Sequence, residues 1–138
     1  MPKVTNRINE RHYPLRRERL MILRDVLSSV TAARLCMDKW MSEVLPEVAY
    51  CAAVWAALDD RLKKEGFILR RCADCAYPVY IEPCGQRYVG LDACQIVFQL
   101  TFWDTVNTFM GSASVTPEMV IANIDRLLAG KCARPYCA

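Results

Sequence analysis

Histidine is almost missing from this chain. Its single copy, His12, lies in a polar, basic N-terminal stretch. A Cys–His hydrolase pair needs a base held at hydrogen-bond reach, and a flexible arm is a poor holder. No glycine-rich phosphate loop is present. The acid pairs Asp59-Asp60 and Glu43/Glu47 fit solvated helix residues. These shortages argue against an enzyme.

Long apolar runs are also lacking. The longest, Val44 to Leu58, is broken by Pro46 and Glu47 and is too short for a bilayer, so no membrane partner is expected. The N-terminus lacks the apolar stretch of a signal peptide. Without that export signal, cysteines are expected to stay reduced. Net charge is low at +3, yet unevenly placed. Residues 1–24 carry seven basic and two acidic side chains, a net of +5 that leaves −2 for the remainder. Such asymmetry suggests a basic arm meeting a polyanion, or else a solvated helix face.

What the chain does have is cysteine, eight in 138 residues. Four fall between Arg70 and Cys94. Cys72-Ala73-Asp74-Cys75 is a tight C-x-x-C turn after Arg70-Arg71, and two thiolates at that spacing can share one tetrahedral zinc ion. Cys84 follows in the turn Pro83-Cys84-Gly85-Gln86, and Cys94 opens the next apolar segment. The quartet Cys72, Cys75, Cys84 and Cys94 therefore reads as a structural Zn²⁺ site. A second ligand set is also open. If 77–82 and 87–90 pair as a hairpin, Cys84 sits at its tip, well over about 10 Å from the knuckle. Cys132 and Cys137 would then supply the missing ligands. A redox pair would want a motif that opens a helix, but Tyr77-Pro78-Val79-Tyr80-Ile81 looks like a strand. Cys36 and Cys51 fall on apolar helical faces and read as buried hydrophobes.

The rest of the pattern is mainly helical. Leu23, Val26, Val30, Ala33, Met37, Trp40 and Val44 recur at steps of three and four, predicting one long helix that begins at Pro14. A helix of that kind would run about 45 Å. Its stripe, centred on Val30 and Met37, is read either as a homodimer seam or as one side of an internal helical hairpin. Val48, Cys51, Trp55, Leu58 and Leu62 form a second helical stripe. Leu91, Cys94, Phe98, Phe102, Val106 and Phe109 predict a helix over 91–110. Thr116-Pro117-Glu118 marks a strong helix start, with Val120, Ile124, Leu127 and Leu128 as its buried face.

The expected fold is thus α+β, mainly helical with a small β-hairpin zinc module. A basic arm spans 1–13 and a single helical zinc-binding domain spans 14–138. Within that domain lie a helical region (14–65), the zinc module (66–94), and C-terminal helices with a cysteine tail (95–138).

Basic clusters flank the module: Arg16, Arg17 and Arg19 at the first helix, and Arg61, Lys63, Lys64, Arg70 and Arg71 before the knuckle. Arginine forks suit phosphate. Tyr77, Tyr80 and Tyr88 offer stacking faces for unpaired bases, against the plainer reading of strand packing. Arg16, Arg17, Arg19, Arg70 and Arg71 are the candidate RNA contacts.

A basic N-terminal helix, the cluster "CADCAYPVYIEPCGQRYVGLDAC" and extra C-terminal cysteines resemble the small cysteine-rich proteins of rod-shaped plant RNA viruses, benyviruses foremost. That resemblance implies suppression of host RNA silencing, binding of double-stranded or structured RNA, and self-association. It also implies a host cytoplasmic location with a nuclear or nucleolar fraction. A second function stays open. "PCGQRYVGLDAC" is similar to the middle of a RING module, although Gln86 stands where a histidine ligand would be. That points instead to a zinc-stabilised adaptor binding a host silencing or ubiquitin-pathway protein without RNA contact.

Overall fold

The structure, a computed structural model, describes residues 14–43, 48–73 and 75–136. His12 and the basic arm, Val44, Pro46, Asp74 and Cys137 lie outside the described residues. The fold is α+β and mainly helical, with two small antiparallel sheets. No described helix is long and apolar enough to cross a membrane.

The first helix, α1, is Arg17–Leu27, eleven residues long. It is far shorter than the heptad stripe predicts. Ser28 and Ser29 end it: Ser28 Oγ donates to the carbonyl of Asp25 at 2.6 Å, a local bond that competes with helix continuation. Beyond lie the β-branched pair Val30-Thr31, a single 3-10 turn at Ala32–Arg34, and β1, Met41–Ser42. The stripe therefore crosses several elements, and no 30-residue helix exists among the described residues. Within α1, Leu20, Leu23 and Leu27 are fully buried. Each such side chain contributes about 1.5–3 kcal/mol on removal from water.

The second stripe is also split. β2, Ala49–Tyr50, pairs antiparallel with β1. α2, Ala52–Ala57, starts where the Cys51 sulfur accepts from the Val54 N–H. Asp59 then caps α3, Asp60–Lys63, by accepting from the Arg61 N–H. Alanine occupies four of the six α2 positions. Those small side chains let α1 pack on one flank of α2 and the larger sheet on another.

That sheet has the order β3-β4-β5: Phe67–Arg71, Ala76–Ile81 and Arg87–Val89. The predicted hairpin is present, and the apolar run Phe67-Ile68-Leu69, read from the sequence as a first strand ahead of it, forms β3. Gly66 makes the entry at φ +101°; a Cβ there would strike the Ile81 carbonyl oxygen. Cross-strand register pairs Phe67 with Tyr80 and Tyr80 with Tyr88, and these side chains join the core. Alternation sends Ile68, Arg70, Tyr77, Val79, Ile81, Arg87 and Val89 to the other face.

The predicted helix over 91–110 is two helices, α4 (Leu91–Phe98) and α5 (Phe102–Phe109). Gln99 turns left-handed at φ 55°, and Thr101 caps α5 by accepting from the Asp104 N–H at 3.1 Å. α6, Pro117–Leu128, begins as read from its Thr-Pro-Glu start, with Thr116 accepting from the Met119 N–H. Val120, Ile124 and Leu127 are buried, and α6 lies against α1. Two contacts bind them: Arg24 Nε donates to Asp125 Oδ1 at 2.7 Å, and Arg17 donates to the Leu128 carbonyl at 2.7 Å. Past α6, the Asp104 carboxylate accepts from the Ala133 N–H, and Tyr136 donates to the Thr108 carbonyl.

Candidate nucleic-acid interface

The cysteine quartet is not gathered. Cys72 and Cys75 are joined as a disulfide across the β3–β4 turn, Cα–Cα 5.2 Å, and the turn is closed by the Cys72 N–H donating to the Cys75 carbonyl at 2.9 Å. Cys84 is exposed in the β4–β5 turn, at the opposite end of β4. Six strand residues put the two turns about 20 Å apart. Cys94 lies on α4, fully buried in the core. Burial pushes its thiol well up from the ordinary range and lifts Cys51 to about 12. Cys94 is therefore a packed hydrophobe, with the same role as Cys36 and Cys51. Among the described residues no three histidine, cysteine or acidic side chains form a metal-holding group. Cys132 is exposed after α6; its intended partner, Cys137, lies outside the described residues.

The basic candidates separate by what they touch. Arg19 is buried, 5% exposed. It pairs with Glu65 at 2.8 Å, donates to the Val97 carbonyl at 2.9 Å, and lies over the Tyr80 ring. It cannot reach a phosphate without breaking all three contacts, so it leaves the RNA-contact set. Arg17 is exposed but committed to the end of α6. Arg16, half-exposed, makes a long 3.6 Å contact to Glu65 among the described residues. Arg71 is exposed and donates to the Tyr50 hydroxyl at 3.0 Å. Arg70 is exposed at the same strand end. Four steps of β3, about 13 Å, separate its two ends. The Arg16 group lies near the first end and Arg70-Arg71 at the second, so one compact cluster is not formed.

The tyrosines divide in the same way. Tyr80 and Tyr88 stack on each other inside, centroids 6.5 Å apart. Tyr77 alone stands on the outer sheet face, directly across from Arg70. That face carries a residue the sequence reading passed over, Arg87, which is exposed and pairs in register with Ile81. The signal was there: once Tyr88 is assigned inward, strand alternation sends Arg87 and Val89 outward. Val89 is 52% exposed, and Ile68, Tyr77 and Ile81 are partly covered. None of these joins the main core, because the helices pack on the opposite face. The seven described residues of the outer face hold two arginines and no acid.

The two candidates for a dimer seam, Met37 and Val30, part company. Met37 is buried at 4%, and its sulfur accepts from the Ala52 N–H. It belongs to the interior of one chain rather than to a seam. Val30 lines an open cleft of about 580 Å³ with Arg34, Trp55, Asp59 and Arg61. Comparison with family models, with curated proteins and with solved structures returns no match.

Proposed function

We propose that this protein binds RNA, and that by holding RNA it suppresses silencing in a host cell. The observation that supports this reading is the outer face of the β3-β4-β5 sheet. It presents Arg70 beside Tyr77 and Arg87 at the far corner, with no acid among the described residues of that face. Phosphate contacts of this kind give affinity without sequence information. Arg71 and Arg16 stand at the sheet margins as additional cations, each tied to one partner.

The test is the variant Arg70→Ala/Arg87→Ala, assayed by RNA titration at several salt concentrations. Affinity should fall for all sequences alike, and the slope of log affinity against log salt should flatten by about two. Silencing suppression in a leaf assay should fall in parallel. Unchanged affinity and slope would remove the sheet face from the interface.

The adaptor reading draws on one observation of its own. Phe102 and Trp103 at the start of α5 are 39% and 49% exposed, their rings edge to face. An apolar host-protein contact there would be insensitive to salt, which separates it from phosphate binding. Suppression lost in Trp103→Ala but kept in the arginine variant would favour the adaptor.

A further inference from the structure

We infer that the outer face of the β3-β4-β5 sheet is a stacking platform for single-stranded RNA, an inference that rests on the RNA reading above and names the form of RNA it takes. The face is built in two zones. Its centre is apolar: Val79, almost fully covered, floors it, and Ile68, Ile81 and Val89 surround that floor. Its corners are cationic. Arg70 pairs with Tyr77 near the start of β4, and Arg87 pairs with Ile81 at its end. The two arginines thus sit diagonally, about 13 Å apart along the strand direction.

A single strand matches both zones at once. Its phosphates can meet Arg70 and Arg87 while an unpaired base lies on the Tyr77 ring and its neighbour covers the apolar centre. A duplex matches only the corners. Its bases are stacked on each other, so Val89 and the partly covered Ile68 and Ile81 around the apolar centre would remain open to water. A second copy of the chain laid face to face would bring four arginines together with no acid among the described residues of either face to offset them. The half-buried ring of Tyr77 beside the exposed Arg70 guanidinium therefore points to a polyanion that also brings flat apolar surface.

The experiment is fluorescence anisotropy with a labelled 12-nucleotide single strand and with the duplex of the same sequence. The single strand should bind at least about tenfold more tightly than the duplex. Tyr77→Ala should weaken single-strand binding about tenfold and leave duplex binding unchanged, whereas Tyr77→Phe, which keeps the ring, should stay within about twofold of the unmodified protein. Arg70→Ala should weaken both. Circular dichroism of each variant confirms that the fold is retained. Equal affinity for the two forms, or indifference to Tyr77→Ala, overturns the platform while leaving RNA binding standing. Binding of neither form at low salt overturns the RNA reading itself. A dimer in sedimentation that Val89→Asp dissociates would assign the face to a second copy and overturn the platform.

Discussion

The Arg19 guanidinium lies over the Tyr80 ring, 5.4 Å from its centroid. Both residues are candidates for RNA on sequence grounds, one for phosphate and one for a base. The fold spends them on each other. Arg19 links three separate elements in this way: α1 that carries it, Glu65 after α3, and the carbonyl of Val97 in α4. Arg19→Ala should therefore cost about 2 kcal/mol of stability, the scale of lost hydrogen bonds to a charged group. RNA affinity at a temperature where the variant is folded should be unchanged. Denaturant unfolding and an RNA titration on the same preparation check both halves.

Met37 and Val30 should respond in opposite ways to the same change. Met37→Asp places a carboxylate in the core beside α2, at a cost of several kcal/mol, and should leave the chain largely unfolded. Val30 is partly covered but borders an open cleft, so Val30→Asp should cost much less, about 1–2 kcal/mol, and leave the chain folded. A thermal melt of each variant decides it. If both changes merely separated a folded dimer, the interior position of Met37 would be refuted.

Acid should loosen the α2–α3 corner. The hydrogen bond from Arg61 holds the Asp59 carboxyl below its ordinary value of 3.8, with the cap to the Arg61 N–H acting in the same direction. A depressed folded value means a stabilising contribution that is present above the unfolded value and lost as pH falls through the folded one. Asp59→Asn keeps an acceptor for the cap but has no charge to lose. Its stability should fall less steeply below about pH 4 than that of the unmodified protein, as urea midpoints across that range would record.

The cysteines should sort into three groups under alkylation. Cys84 and Cys132 should label in the native protein at once. Cys51 and Cys94 should label only on unfolding, since burial both shields them and keeps them protonated. Cys72 and Cys75 should label only after reduction. Peptide mass mapping reads all three groups. Reduced protein is also the form to assay for zinc. Cys72→Ser should abolish any bound ion, whereas Cys84→Ser and Cys94→Ser should not, because their positions keep them from the knuckle. A zinc content that falls with Cys84→Ser would contradict the separation of the two turns.

Signals confined to a few residues were legible. Thr116-Pro117-Glu118 starts a helix because the cap, the ring and the early acid all act within one turn. The hairpin was legible from its turn residues and alternation. Spacing over a long range misled. The three-four rhythm from Leu23 to Trp40 reports only that those residues are apolar at intervals; it does not report Ser28 and Ser29 drawing the backbone out of the helix. Gln99 likewise breaks 91–110 with neither glycine nor proline, driven by the cap at Thr101 and the burial of Leu100. The four cysteines of the quartet stand apart for a related reason. Proximity along the chain placed Cys84 near Cys75, but an intervening strand carries it away.

The seating of α1 on α6 has a bearing on how the chain is made. Arg17 and the carbonyl it holds are 111 positions apart. A ribosome delivers α1 and α2 well before α6, so the part of the first helix that meets α6 waits for the intervening chain before it is covered. Closing contacts of such long range is slow, and exposed apolar surface during that delay invites aggregation. Expression yield should accordingly depend on elongation rate and on chaperone supply more than the final stability of the folded chain would suggest.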